Sequence, residues 1–252
     1  MSYKYDYLVF IGRFEPFHIG HTSVIERALT LAQRVIILVG SSNQPRTIKN
    51  PWTFQDRKQM IESVFPDESS YNPDVREFQR ISVLPLRDFK FDDNIWAAQV
   101  QRMVSENVDM SFPWSDFPRK GGIIGHEKDE SSFYLKLFPQ WELVDHSMNE
   151  VVHATDIRSL YFDSNIRYLA ATSVYYFLEK FKESKEYALL KEEFDFIKKY
   201  KKAWASAPYE PTFMTCDAVV VQSGCILLIE RKASPGKGLW ALPGGFVNPK
   251  ER

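Results

Sequence analysis

Apolar runs of strand length alternate with amphipathic stretches from Tyr7 to Asp145. Tyr7–Ile11, Val35–Val39, Ile81–Leu86, Gly122–Gly125 and Trp141–Asp145 are continuously apolar or nearly so, the pattern of strands buried on both faces. Between them, His21–Arg34 carries Val24, Ile25, Ala28, Leu29 and Ala32 on one helical stripe. Helices are also expected over Thr53–Phe65, where Thr53 and Asp56 resemble a capping box with Asp in place of the usual Glu or Gln, and over Asn94–Val108 and Leu135–Phe138. Strands alternating with helices predict a doubly wound α/β domain with a parallel sheet, which binds ligands outside the carboxyl ends of its strands.

From Ile166 to Ala205 the pattern turns helical and rich in Lys and Glu, until Ala207-Pro208-Tyr209-Glu210-Pro211 breaks it. After that break, two apolar strands flank Gln222-Ser223-Gly224, a hairpin signal. The expected division is a first domain over 1–185, a helical linker over 186–211 and a further module over 212–252. Forty-odd residues are near the lower limit for an unstapled domain, about 40, so this last module reads as the opening part of a larger one.

Composition narrows the class. Of 252 residues, 44% are apolar and 26% charged, enough for a sizeable core. The net charge of −1 gives no global attraction to nucleic acid or anionic membrane. Cys216 and Cys225 are too few for a disulfide framework. Neither a signal peptide nor a membrane-length apolar run is present, so the expected location is the cytoplasm.

The chemistry concentrates in Gly12-Arg13-Phe14-Glu15-Pro16-Phe17-His18-Ile19-Gly20-His21, directly after the first strand. Gly12 is expected to permit a sharp turn, and Gly20 a close ligand approach. A helix N-terminus offers unpaired N–H groups and a positive dipole end. His18 and His21 lie on one side of the helix start, and Arg13 adds a fork-shaped cation suited to phosphate oxygens. A phosphate site follows. A zinc site does not, because His126, His146 and His153 are scattered.

This block resembles the signature of the HxGH nucleotidyltransferases, and most closely that of the archaeal-type nicotinamide mononucleotide (NMN) adenylyltransferases, with a Rossmann-like fold. Residues 40–61, 92–100 (DDNIWAAQV) and 153–162 (HATDIRSLYF) resemble three further blocks of that family in order and spacing. The resemblance implies transfer of the adenylyl group of ATP to NMN, giving NAD and pyrophosphate, with Mg²⁺. It implies catalytic roles for His18, His21 and Arg158 at the ATP phosphates. Gly12, Arg13, Phe14, Gly20 and Lys49 would line the nucleotide site, and Thr155 would cap the helix presenting Arg158. Trp96 would stack on the nicotinamide ring, while Asp93 or Asn94 would bond its carboxamide. No side chain is implied as a metal ligand. The expected partners are therefore small molecules, with a homo-oligomer left open.

LPGGFVNPKE, residues 242–251, resembles the opening of a Nudix box, with five residues between Gly245 and Glu251. The preceding hairpin and RKASPGKGLWALPGG resemble Nudix hydrolases of the ADP-ribose type. The resemblance implies a second activity, ADP-ribose pyrophosphatase, wherever the metal-binding half of the box is present; that half is not in these 252 residues. Three other readings compete. A class I aminoacyl-tRNA synthetase shares the HIGH letters but needs a lysine-rich loop, for which Lys182-Glu183-Ser184-Lys185 is the nearest match. A sister transferase would use another phosphorylated acceptor. A regulator sensing NAD metabolites would need no intact HxGH block.

Overall fold

In a computed structural model, residues 3–66, 80–112, 118–125, 130–146, 154–164, 166–209, 212 and 214–247 are described. His126, His153 and Glu251 lie outside them. The chain divides into two units, Met1–Gln44 with Lys49–Phe181, and Pro45–Ile48 with Lys182–Arg252.

The first unit is built on β1 (Tyr5–Gly12), β2 (Ala32–Val39), β3 (Ile81–Pro85), β4 (Gly121–Gly125) and β5 (Glu142–Asp145). All pair in parallel, in the order β3-β2-β1-β4-β5. Strand order reverses between β1 and β4, which opens a crevice at their carboxyl ends. The helices are α1 (Ile19–Leu31), α2 (Phe54–Val64), α3 (Asp93–Ser111), α4 (Ala154–Asp163) and α5 (Thr172–Phe181), with a 3-10 segment over Glu130–Leu137.

Alternation along β1 explains the two layers. Val9 and Ile11 join Ile36, Leu38, Val100, Val104 and Phe138 in one buried cluster. Leu8 and Phe10, also buried, point to the opposite face. Helix α2 starts where expected: Thr53 Oγ1 accepts from the Asp56 N–H (3.2 Å), and Asp56 accepts in return from the Thr53 N–H (2.8 Å). The Asp thus closes the capping box. One boundary differs from the sequence reading. Ala32–Arg34 belong to β2 and pair in register with β1 from Tyr5 to Tyr7, so strand pairing overrides the helical stripe that included Ala32.

In the second unit, α6 (Lys185–Ala203) covers most of the expected linker. Ser184, the serine of the lysine-rich match, caps it by accepting from the Tyr187 N–H (3.1 Å). The expected pair of strands after the linker is instead three short antiparallel ladders. They are β6 (Thr215–Asp217) with β11 (Gly244–Phe246), β7 (Val221–Gln222) with β8 (Cys225–Ile226), and β9 (Ile229–Glu230) with β10 (Trp240–Ala241). Ser223 (φ 51°) and Gly224 (φ 76°) make the tight turn between β7 and β8. Both cysteines are exposed thiols. No described helix is long and apolar enough to cross a membrane.

Candidate active site

The turn from β1 into α1 is made by Phe14, not by Gly12. Phe14 holds φ 55°, in the left-handed region, whereas Gly12 has no positive φ. Gly12 is required for space instead: a Cβ there would lie 2.9 Å from the Phe14 ring. The ring is fully buried, edge-on to Phe10 (5.3 Å) and to His21 (4.8 Å). The Phe14 ring therefore supports His21 from within the core.

His18 is the N-cap of α1. Its Nδ1 accepts from the Gly20 N–H (3.1 Å), and its own N–H donates to His21 Nδ1 (3.3 Å). This is a capping box built from two imidazoles. A ring nitrogen that accepts carries no proton, so each ring keeps its proton on Nε2. The helix start thus fixes the tautomer of both histidines as Nε2 donors, with ring centroids 3.7 Å apart. His18 is 3% exposed, and His21 is half-buried. Gly20, beside them, is buried and serves the cap through its N–H.

Arg158, on α4, reaches the same turn. Its Nη1 donates to the Glu15 carbonyl (2.7 Å), and its Nη2 to Thr155 Oγ1 (3.1 Å). Thr155 is a residue of α4 itself, and its hydroxyl receives Arg158 instead of capping the helix as expected. Burial and the nearby positive charge of Arg13 both press the Arg158 pKa down. Arg13 itself is exposed at the turn. Two guanidiniums with neighbouring fields beside a helix N-terminus have the charge suited to a polyanion and make a candidate cradle for one. Lys49 is exposed in the loop after β2.

Beneath the cradle lies a group that the sequence reading did not single out. Glu15 is 1% exposed, with Oε2 accepting from the Trp52 N–H (3.3 Å) and Oε1 3.3 Å from Arg57 Nε. Burial pushes its pKa up to about 8, against the opposing pull of Arg57, the Trp52 N–H, Arg158 and Arg13. Arg57, equally buried, donates to four backbone carbonyls: Arg13, Gly40, Ser41 and Thr53. No short motif encodes these contacts, because the acceptors are main-chain atoms from three segments.

The second half of the site is aromatic. Helix α3 starts at Asp93, one residue before the expected Asn94, and Asp92 caps it by accepting from the Ile95 N–H (2.9 Å). Asp93 and Asn94 are exposed on its first turn. Trp96 is half-buried, 6.1 Å from the Tyr134 ring and 6.0 Å from Phe138. Tyr134 donates to the Ile11 carbonyl (3.2 Å), at the carboxyl end of β1. Burial pushes the Tyr134 pKa up to about 12, so it stays a neutral donor. Trp96 is thereby tied, through Tyr134, to the strand that leads into the phosphate turn.

His146 follows β5, with its Nε2 2.9 Å from Ser23 Oγ on α1. Among the described residues, no three His, Cys, Asp or Glu side chains are grouped to hold a metal ion.

Residues 9–160 match the cytidylyltransferase-like family. The chain is 37% identical over 194 residues to a nicotinamide/nicotinic acid mononucleotide adenylyltransferase of Acinetobacter baylyi, covering 76% of this chain and 95% of that protein. It is 31% identical over 177 residues to a nicotinamide-nucleotide adenylyltransferase of Sulfurisphaera tokodaii, covering 69% and 91%. A bifunctional NMN adenylyltransferase/ADP-ribose pyrophosphatase of Francisella tularensis, solved with AMP and a manganese ion, superposes with a TM-score of 0.79 at 35% identity; the match covers 98% of this chain and 70% of that one. The chain belongs to the cytidylyltransferase-like family and, within it, to the group of nicotinamide mononucleotide adenylyltransferases.

Proposed function

We propose that the first unit transfers the adenylyl group of ATP to NMN, releasing pyrophosphate. The observation that carries this reading is the paired-histidine cap: two Nε2 donors fixed at a helix N-terminus, flanked by Arg13 and Arg158, at the strand-order reversal. An NMN phosphate oxygen attacks the α-phosphorus of ATP. The new P–O bond forms as the bond from the α-phosphorus to the α,β-bridging oxygen breaks, and the electron pair leaves with pyrophosphate. The attacking phosphate is largely a dianion at neutral pH, its second pKa being about 6, so no general base is needed.

The chain's part is alignment and charge stabilisation. Arg13 and Arg158 hold the triphosphate, and the His18 and His21 Nε2–H groups meet the negative charge that develops at the phosphorus. Trp96 stacks against the pyridine ring, and Asp93 or Asn94 takes its carboxamide. Lys49 adds a cation from the loop. Magnesium would supply further charge neutralisation; as a hard cation it suits phosphate oxygens and water, so it belongs with ATP and not with a protein cluster. The test is pyrophosphate release from ATP with a panel of phosphorylated acceptors. NMN should be the preferred acceptor, with NAD as product. Turnover with a sugar phosphate or phosphopantetheine, and none with NMN, would replace this reading with a sister transferase.

The match to the Francisella enzyme extends over 98% of this chain, which favours a second reading for residues 212–252. We propose that they open a Nudix-type module for ADP-ribose. The natural gene product, given ADP-ribose and a divalent cation, should release AMP and ribose 5-phosphate. Failure alongside intact adenylyl transfer would remove this second activity alone.

A further inference from the structure

Among the described residues of the first unit, three non-glycine residues occupy the left-handed backbone region, and two of them, Phe14 at φ 55° and Ser41 at φ 51°, lie on the Arg13 side of the candidate site, apart from Phe91 at φ 66° before α3. Each such residue costs on the order of 1–3 kcal/mol and persists only where its surroundings over-determine it. One side chain holds the peptide groups beside both. Arg57 Nη1 donates to the carbonyl of Arg13, the peptide entering Phe14 (2.8 Å), and to that of Gly40, the peptide entering Ser41 (2.7 Å). Its Nη2 donates to the carbonyl of Ser41 (3.2 Å), and its Nε to that of Thr53 at the α2 cap (3.2 Å).

We infer that Arg57 is a positioning residue for the triphosphate cradle, fixing the Arg13 turn and the start of the loop that leads to Lys49 in one geometry. The inference rests on the ATP reading given above. A planar fork with five donors can serve separated carbonyls at once, whereas a lysine ammonium offers three donors from a single atom. One carbonyl so held belongs to Arg13, expected to grip phosphate, and two belong to Gly40 and Ser41, where the loop to Lys49 begins. None belongs to the Trp96 half of the site. The bond from the Ser41 N–H to Asp88 Oδ1 (3.1 Å) is the second tie on that peptide.

Arg57→Lys keeps the charge and loses the fork. ATP binding, titrated by calorimetry in the intact chain, should weaken about tenfold, the loss of roughly one to two hydrogen bonds. KM for NMN should stay within about twofold. Equal weakening toward both substrates, or a lowered melting temperature with both constants unchanged, would mark Arg57 as a fold residue and overturn the inference. If Arg57→Lys does not fold, Asp88→Ala loosens the Ser41 peptide from its other side; unchanged ATP affinity there would overturn it equally. Because binding is read without turnover, a wild-type chain that fails to bind ATP would sink the function itself, not this assignment.

Discussion

The two halves of the candidate site are built in opposite ways. In the half proposed for phosphate, the buried groups are tied to main chain, His18 and His21 by a helix cap, Arg158 by the Glu15 carbonyl and Arg57 by four carbonyls, while Arg13 and Lys49 stand exposed. In the pyridine half, position comes from ring-to-ring packing, and Asp93 and Asn94 stand exposed on the first turn of α3. Charge stabilisation in a transition state depends on donors that do not reorganise, so the rigid half suits the reacting phosphates. Ring recognition tolerates a softer wall, since stacking depends weakly on small displacements. The largest losses of turnover should therefore come from the first half, and losses confined to one substrate from the second.

His18→Asn is the sharpest break. Asn remains a good N-cap, so the bond from the Gly20 N–H can survive, but the Nε2 donor is lost. The expected result is a fall in kcat of about 10²–10³-fold, the size seen for one transition-state donor, with a melting temperature close to wild type. His18→Ala loses the cap as well and should cost about 1 kcal/mol of stability in addition. A normal kcat in His18→Asn would make the paired cap structural.

Trp96→Ala tests the other half. KM for NMN should rise about tenfold or more, as for loss of one stacked ring at about 1–3 kcal/mol, while KM for ATP changes less than about twofold. Comparable rises in both would mean that the aromatic cluster supports the whole edge.

Much of this contrast was legible in the sequence, and unevenly so. Apolar runs locate the five strands because parallel strands are buried on both faces, and the motif letters locate His18, His21 and Arg158. What the letters cannot carry is the role of main-chain acceptors. Arg57 sits in an ordinary polar stretch, QDRKQ, and its partners are carbonyls of residues 13, 40, 41 and 53. Glu15 and Tyr134 were missed for a similar reason, since their importance comes from burial between elements distant in sequence. Nor do the letters show that the glycine at 12 makes room for the Phe14 ring inside the core. The helical run after Ile166 hid two separate helices, α5 and α6, because the cap at Ser184 is a single residue in a lysine-rich stretch.

The rigid half should also leave a mark on stability against pH. The Glu15 carboxyl is pushed up to about 8 in the folded chain from an ordinary value near 4.5. Between those values the folded state binds more protons than the unfolded one, so the Glu15 contribution is full below about 4.5 and is lost as pH rises toward 8. The slope is at most about 1.4 kcal/mol per pH unit for one proton. Denaturant titrations at pH 5, 6.5 and 8 read it, and Glu15→Gln should flatten the profile. A wild-type profile identical to that of the variant would mean that Glu15 stays ionised against Arg57 throughout.

The smallest expected effect decides between two neighbours in the soft half. Asp93 and Asn94 occupy successive positions on the first turn of α3, about 100° apart around the helix, so one carboxamide is expected to engage one side chain and not both. Replacing the one that bonds it should raise KM for NMN about five- to tenfold, the worth of roughly one hydrogen bond, and replacing the other should change little. Asp accepts only, whereas Asn both accepts and donates. Comparing NMN with its nicotinate analogue therefore identifies the bonding partner: Asp93 would penalise a carboxylate by repulsion, and Asp93→Asn should relieve that penalty. If Asn94 is the partner, its amide donates to either ring substituent, and Asn94→Asp should turn tolerance of the nicotinate analogue into rejection. Two single substitutions that both leave the ratio of the two substrates unchanged would place ring selection away from the start of α3, on the Trp96 side of the pocket.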